Sequence, residues 1–144
     1  MVATRFFGQF QHTLDEKGRL ILPAEFRPGL EAGAYIGRFP DHCLAIYPPE
    51  EFDTVTEDIT LSAKQGGADA VAASRFFYAG AGRLNPDKQG RIPIAAHLRE
   101  WAHLDRDVVI TGQQKRIELW SPELWRAVEE QGQAALAQRQ GWGM

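Results

Sequence analysis

Two runs in this 144-residue chain hold the side chains best suited to chemistry on a partner. They are Asp15-Glu16-Lys17-Gly18-Arg19 and Asp87-Lys88-Gln89-Gly90-Arg91. In each, Asp and Gly are turn formers: the carboxylate accepts nearby backbone N–H bonds, and glycine takes a positive φ without steric cost. A turn has no need of the arginine that follows. Arginine's planar fork of donors suits phosphates, carboxylates or the edge of a guanine. Arg19 and Arg91 are therefore the candidates for reading a partner. Lys17 and Lys88, one position out of register, are candidates for phosphate contact, which positions a protein without specifying a sequence. Asp15 and Asp87 would meet phosphate unfavourably. Their expected work, with Gly18 and Gly90, is to organise the turn and brace the arginine.

The elements that must position these turns come in two copies. Asp87 follows Asp15 by 72 residues, and the matching extends well beyond the turns. Gly8 answers Gly80, and Ala24-Glu25-Phe26-Arg27 answers Ala96-His97-Leu98-Arg99. Leu44-Ala45-Ile46-Tyr47-Pro48-Pro49-Glu50-Glu51-Phe52 returns as Ile117-Glu118-Leu119-Trp120-Ser121-Pro122-Glu123-Leu124-Trp125, now 73 residues on. A single inserted residue across so long a match is the mark of a duplicated unit. The division expected is a first repeat over 4–61, a linker over 62–75 and a second repeat over 76–140.

Within a unit the pattern alternates strands and turns. Residues 5–14 read as a strand, Asp15–Gly18 as a turn and Leu20–Leu22 as a short strand ended by Pro23. A helical turn is expected over Ala24–Arg27, then a hairpin of Tyr35–Arg38 and Cys43–Tyr47. Pro49 opens a helix with Glu50 and Glu51 in its first turn, where the helix dipole favours acids. Ser121 and Pro122 have the N-cap and first-position chemistry of the equivalent helix, which is expected to run to about Arg139 with Gly132 weakening its middle. The Ala/Gly-rich segment 62–75 is expected to be a short helix, a hinge or both.

Four short strands and a helix cannot bury their apolar faces alone. Two such units can close on each other as a small barrel with pseudo-two-fold symmetry, helices outside and the two turns at the same end. The sequence resembles the MraZ family, two-repeat relatives of the AbrB-type transition-state regulators, over about residues 4–135. The likeness lies in an Asp-x-x-x-Arg motif in each half, here Asp15–Arg19 and Asp87–Arg91. It lies also in His12-Thr13-Leu14-Asp15, Tyr47-Pro48 and Ile117-Glu118-Leu119-Trp120. The resemblance implies an α+β fold, a tandem-repeat double-split β-barrel, assembled into a ring-shaped homo-oligomer. It implies a repressor that binds double-stranded promoter DNA at short tandem repeats ahead of the division and cell-wall gene cluster, its own gene included. A cytoplasmic, nucleoid-associated protein without cofactor, metal, small-molecule substrate or membrane partner is expected. Two positions depart from the repeat: Pro86 replaces Leu14, and Pro93 replaces Ile21. A proline donates no ladder bond, so strand 92–94 should be an edge or be interrupted, and equivalence of the two arginines is an open question.

Other chemistries are poorly served. Asp41-His42-Cys43 has the residue types of a nucleophile, base and orienter, but neighbours in a strand face opposite ways. Cys43 reads as a small buried hydrophobe. His12, His42, His97 and His103 lack metal-ligand spacing. Trp101, Trp120 and Trp125 are expected in the core or at a subunit interface, and Trp142 has no role. The alternative function is an AbrB-like antitoxin or protein-interaction module, disfavoured by the few residues after the last helix.

Composition supports a globular domain with 44% hydrophobic residues, and the single cysteine fits a reducing compartment. The net charge of −3 argues against coating nucleic acid by bulk electrostatics. That average hides a partition. Residues 5–27 carry four bases against three acids, and residues 75–99 five bases against one acid. The remainder of the chain is acidic, so DNA contact is expected to be confined to the two turns and their flanks.

Overall fold

The computed structural model describes residues 5–144. Met1–Thr4, and with them the expected start of the first repeat at residue 4, lie outside the described residues. The first repeat supplies strands β1 (Gln9–Thr13), β2 (Arg19–Ile21), β3 (Ala34–Phe39) and β4 (Cys43–Tyr47), then helix α1 (Pro49–Gln65). Helix α2 (Gly67–Gly80) leads into β5 (Gly82–Leu84), β6 (Arg91–Pro93), α3 (Ala96–Trp101), β7 (Asp107–Gly112), β8 (Ile117–Trp120) and α4 (Pro122–Ala137). The segment 62–75 is helical on both sides of the Gly66–Gly67 junction.

All strand pairings are antiparallel. Six strands form one sheet in the order β1-β7-β8-β4-β3-β5, and β2 pairs with β6 in a separate two-stranded ribbon. Exchanging each strand for its repeat mate reverses the order of the sheet and leaves its pairings unchanged. The pseudo-two-fold therefore runs between β4 and β8, at the Ala45–Glu118 pair, and between β2 and β6, at Leu20–Ile92. The edges are exchanged between repeats: β1 pairs with β7, and β5 with β3. Neither repeat holds its own first strand.

One hydrophobic cluster fills the space between sheet and ribbon. Leu20, Leu22 and Phe26 of the first repeat meet Ile92, Ile94 and Leu98 of the second, with Leu44, Ile46, Ile117 and Leu119 from the central strands. Strands β4 and β8 are buried on both faces because helices cover the far side. There Phe52 of α1 stacks on Tyr35 and sits beside Tyr47, and α4 lays Leu124, Trp125 and Val128 over Cys43, Val109 and Trp120. The buried carboxylate of Glu118 is matched by Arg116 at 2.7 Å and accepts a bond from the Trp120 indole N–H at 3.0 Å. Burial without a partner would strongly disfavour that charge.

The helix starts follow local chemistry. Ser121 Oγ accepts the N–H of Leu124 at 3.3 Å, and Pro122 occupies the first turn of α4. Helix α1 has Pro48 at that cap position and no side-chain cap bond. Helix α4 ends at Ala137, two residues short of the expected end, with Gly132 inside it.

Candidate nucleic-acid interface

The two turns are built alike, bond for bond. Asp15 Oδ1 accepts the backbone N–H groups of Lys17 and Arg19, each at 2.9 Å, and Oδ2 accepts Arg19 Nε–H at 2.7 Å. Asp87 Oδ1 accepts the N–H groups of Gln89 and Arg91 at 2.9 Å, and Oδ2 takes Arg91 Nε–H at 2.7 Å. The main chain closes each turn again: Gly18 N–H donates to Asp15 O at 3.0 Å, and Gly90 N–H to Asp87 O at 2.9 Å. Both glycines have positive φ, +73° and +80°. Each aspartate thus accepts bonds both from the turn's backbone and from the arginine side chain.

These bonds set the electrostatics. Asp15 and Asp87 are held below the usual carboxylate range. The largest cause in each case is the backbone N–H of the arginine four residues on, and the guanidinium of Arg19 or Arg91 pulls the same way. Each arginine spends its Nε–H on the aspartate. Among the described residues, neither pair of Nη groups has a hydrogen-bond partner. The end-on fork that pairs with guanine O6 and N7 is left available, on a side chain whose rotamer is already fixed. Arg19 and Arg91 side chains are about one-third exposed, at 34% and 31%.

The ribbon places the forks together. Its register pairs Arg19 with Pro93, Leu20 with Ile92 and Ile21 with Arg91. Leu20 and Ile92 are buried, so the alternation of a strand turns Arg19, Ile21, Arg91 and Pro93 to the outer face. The turns flank the two ends of this ribbon, related by the pseudo-two-fold, and both arginines share its outer side. Diagonal neighbours across such a ladder lie about 7–8 Å apart, their Cβ atoms somewhat closer. Both ribbon strands are edges, which accommodates Pro93 at the end of β6. The open question of equivalence is answered at the level of geometry: neither proline alters the bracing of Arg91. Pro86 lacks only the bond that Leu14 N–H makes to Arg106 O at 2.8 Å.

Each turn is latched by the opposite repeat. Leu22 N–H donates to Gly90 O, and Ile94 N–H to Gly18 O, both at 2.9 Å. Arg27 bonds Leu22 O through Nε at 3.2 Å and Nη2 at 3.1 Å, and its guanidinium lies against Gly90. Arg99 likewise bonds Ile94 O and lies against Gly18. A methyl group at either glycine would collide with the arginine. Arg27 and Arg99 are site residues that sequence reasoning misses, although the repeat match contains them. The signal is an arginine kept at the same offset while its neighbours change, Glu25 to His97 and Phe26 to Leu98.

Lys17 and Lys88 are exposed on the turns, but they are not repeat mates. Lys17 lines a hollow walled by residues 79–84 and 93–99, whereas Lys88 faces residues 24–31. Other candidate chemistry is dispersed. Asp41 and His42 occupy left-handed positions in a tight turn, His42 Nδ1 lies 2.8 Å from Trp101 O, and burial pushes the Cys43 thiol pKa up. A neutral, buried thiol is a poor nucleophile. No group of three or more His, Cys, Asp or Glu able to hold a metal occurs among the described residues. Trp120 is buried in the core, and Trp101 donates its indole N–H to Phe39 O and Cys43 O. No helix among the described residues is long and apolar enough to cross a membrane.

The duplication agrees with comparison to known proteins. The family described as "MraZ protein, putative antitoxin-like" matches residues 6–73 and 77–140, one segment for each repeat. The chain belongs to the MraZ family. A relative from Desulforamulus reducens, named transcriptional regulator MraZ, is 43% identical over 133 residues, covering 92% of this chain and 93% of its own. Relatives of the same name from Heliobacterium modesticaldum and Lactiplantibacillus plantarum are each 45% identical. The first covers 87% of both chains; the second covers 86% of this chain and 87% of its own. MraZ proteins are named as regulators of transcription, not as enzymes, in keeping with the dispersed side chains around Cys43.

Proposed function

We propose that this chain is a sequence-specific DNA-binding repressor that reads bases with Arg19 and Arg91. One observation carries the reading: two arginines, each clamped at Nε by an aspartate and open at Nη, share the outer face of a two-stranded ribbon. A ribbon of that kind fits the major groove, where an arginine fork pairs with guanine. The clamp lowers the entropy lost when a long side chain is immobilised on DNA. It also sets a carboxylate beside each arginine, which discourages contact with phosphate at that point. Lys17 and Lys88 take phosphates instead. A chain so arranged binds unrelated DNA weakly and depends on its specific contacts.

The family resemblance supplies the wider frame. The repeats 4–61 and 76–140, joined through 62–75, make a double-split barrel in which the sheet curls around the core and the ribbon closes it. Copies of the chain assemble into a ring, and the targets are short tandem repeats in the promoter of the division and cell-wall gene cluster that includes its own gene. The protein works in the cytoplasm on the nucleoid. Several modest contacts on one ring then act at high effective concentration. A duplex with two or three repeats should be bound more tightly than one; equal affinity for all would count against this assembly.

The direct test is the double variant Arg19→Ala, Arg91→Ala in a gel-shift titration at physiological salt. Each base-reading arginine should contribute about 1–3 kcal/mol, so sequence preference should disappear. Unchanged affinity would show the site to be wrongly assigned. The antitoxin-like description of the family favours a second reading, a module that neutralises a protein partner. Pull-down of one stoichiometric partner together with failure to shift DNA would select it.

A further inference from the structure

The outer face of the β2–β6 ribbon carries two apolar groups as well as two arginines. Ile21 is 43% exposed, and Pro93 is exposed. The register sets Ile21 opposite Arg91 and Pro93 opposite Arg19. Arginines therefore occupy one diagonal of a four-cornered array, and apolar side chains the other. Neither Ile21 nor Pro93 belongs to the hydrophobic clusters of the described residues. A bare isoleucine on a ribbon with two edge strands invites sheet-to-sheet association, and charge is the usual protection there. Its location between two base-reading side chains supplies a use for it.

The major groove displays one apolar group, the C5-methyl of thymine, beside the acceptors that an arginine reads on guanine. Directly opposed residues have Cβ atoms about 4.5–5.5 Å apart. One base step rises about 3.4 Å along a strand. A contact from Ile21 thus falls within one or two steps of the base read by Arg91. We infer that Ile21, with Pro93 at the mated corner, determines sequence specificity by packing on the methyl of a thymine next to each guanine read by an arginine. This inference rests on the DNA-binding reading above. The corners are unequal: isoleucine reaches further from the backbone than the compact proline ring, so the half-site read from the Ile21 corner depends more on its methyl.

The test uses the full chain and a PCR duplex of the DNA immediately upstream of its coding sequence. The duplex is made once with dTTP and once with dUTP and uracil-containing primers, which removes every thymine C5-methyl and keeps base pairing. Wild type should bind the uracil duplex more weakly, by about fourfold for each thymine methyl that the ribbon covers, the value of burying one methyl-sized group. Ile21→Ala should bind the thymine duplex more weakly by a similar factor, and weaken less on the change to uracil. Ile21→Val should restore most of the methyl dependence. Equal binding of both duplexes by wild type overturns the inference, as does an equal weakening of wild type and Ile21→Ala on uracil, while DNA binding itself stands. If wild type does not prefer the upstream duplex to an unrelated one, the DNA-binding reading falls and takes the inference with it. Unchanged methyl dependence with a smaller assembly in Ile21→Ala would assign this face to a second copy, again overturning it. The residue lies outside the core, so an unchanged thermal melt is expected for both variants. Should Ile21→Ala not fold, the wild-type comparison of the two duplexes still decides.

Discussion

The first turn and the second turn of this protein share a skeleton and differ in their surroundings. The bonds from Asp15 and from Asp87 agree in partner and length, although Leu14, Glu16, Lys17 and Ile21 in one become Pro86, Lys88, Gln89 and Pro93 in the other. The difference shows which features make the turn. A carboxylate, a glycine three residues later and an arginine after it suffice, provided the opposite repeat supplies its latch. The residues between are free to set charge: the first turn pairs two acids with two bases, whereas the second has one acid and two bases. The second turn is therefore the more positively charged of the two.

The largest expected effect comes from separating the turns. Because β1 pairs with β7, β5 with β3 and β2 with β6, a chain ending at 66 and a chain starting at 67 should each fail to fold. Circular dichroism of each fragment should show no cooperative melt, and mixing them should restore one. A folded single fragment would mean that the turns do not require each other.

Alanine in place of Gly18 or Gly90 comes next. A left-handed residue with a Cβ costs about 1–2 kcal/mol. Each substitution also displaces the latch arginine of the opposite repeat, Arg99 at Gly18 and Arg27 at Gly90. Both variants should be destabilised by at least that much in urea denaturation, by similar amounts if the turns are structurally equivalent. A large inequality would break that equivalence.

Charge exchange sharpens the difference rather than the likeness. Glu16→Lys should raise DNA affinity without regard to sequence and steepen its salt dependence by about one unit, and Lys88→Glu should do the reverse. Titrations at several salt concentrations measure the slopes. Identical slopes in wild type and Lys88→Glu would remove Lys88 from the proposed phosphate contacts.

The smallest effect is one of pH. The folded-state pKa values of Asp15 and Asp87 are depressed, so the stability they contribute is complete above the unfolded carboxylate value of about 3.9. It is lost as pH falls through the folded value. Acid melts of Asp15→Asn and Asp87→Asn should each be less steep below that range than wild type. A wild-type acid slope retained in both variants would show that other carboxylates set it.

Much of the site could be read from the chain, because its bonds are local. Asp15 reaches Lys17 and Arg19 within four residues, and any short segment with Asp and Gly at those places is predisposed to the same turn. The features not legible there depend on the other repeat. Arg27 and Arg99 are latches only because β2 and β6 lie side by side, and Ile21 is a surface residue only because Leu20 takes the inward side of that ribbon. Antiparallel pairing about a two-fold likewise sets the starts of β2 and β6 at opposite ends of the ribbon, a relation that no single repeat specifies.

The duplication, the two Asp-x-x-Gly-Arg turns and the alternation of strands are legible along the chain, since they depend on side-chain period and on bonds spanning a few residues. Folding in three dimensions adds that the repeats exchange edge strands, that each turn is held from across the two-fold, and that both arginines face outward with Ile21 and Pro93 between them. Those relations come from pairing register. Register is set where the apolar faces of distant strands meet, at Leu20 with Ile92 and Ile46 with Ile117, and no local pattern encodes which distant partner a strand will find.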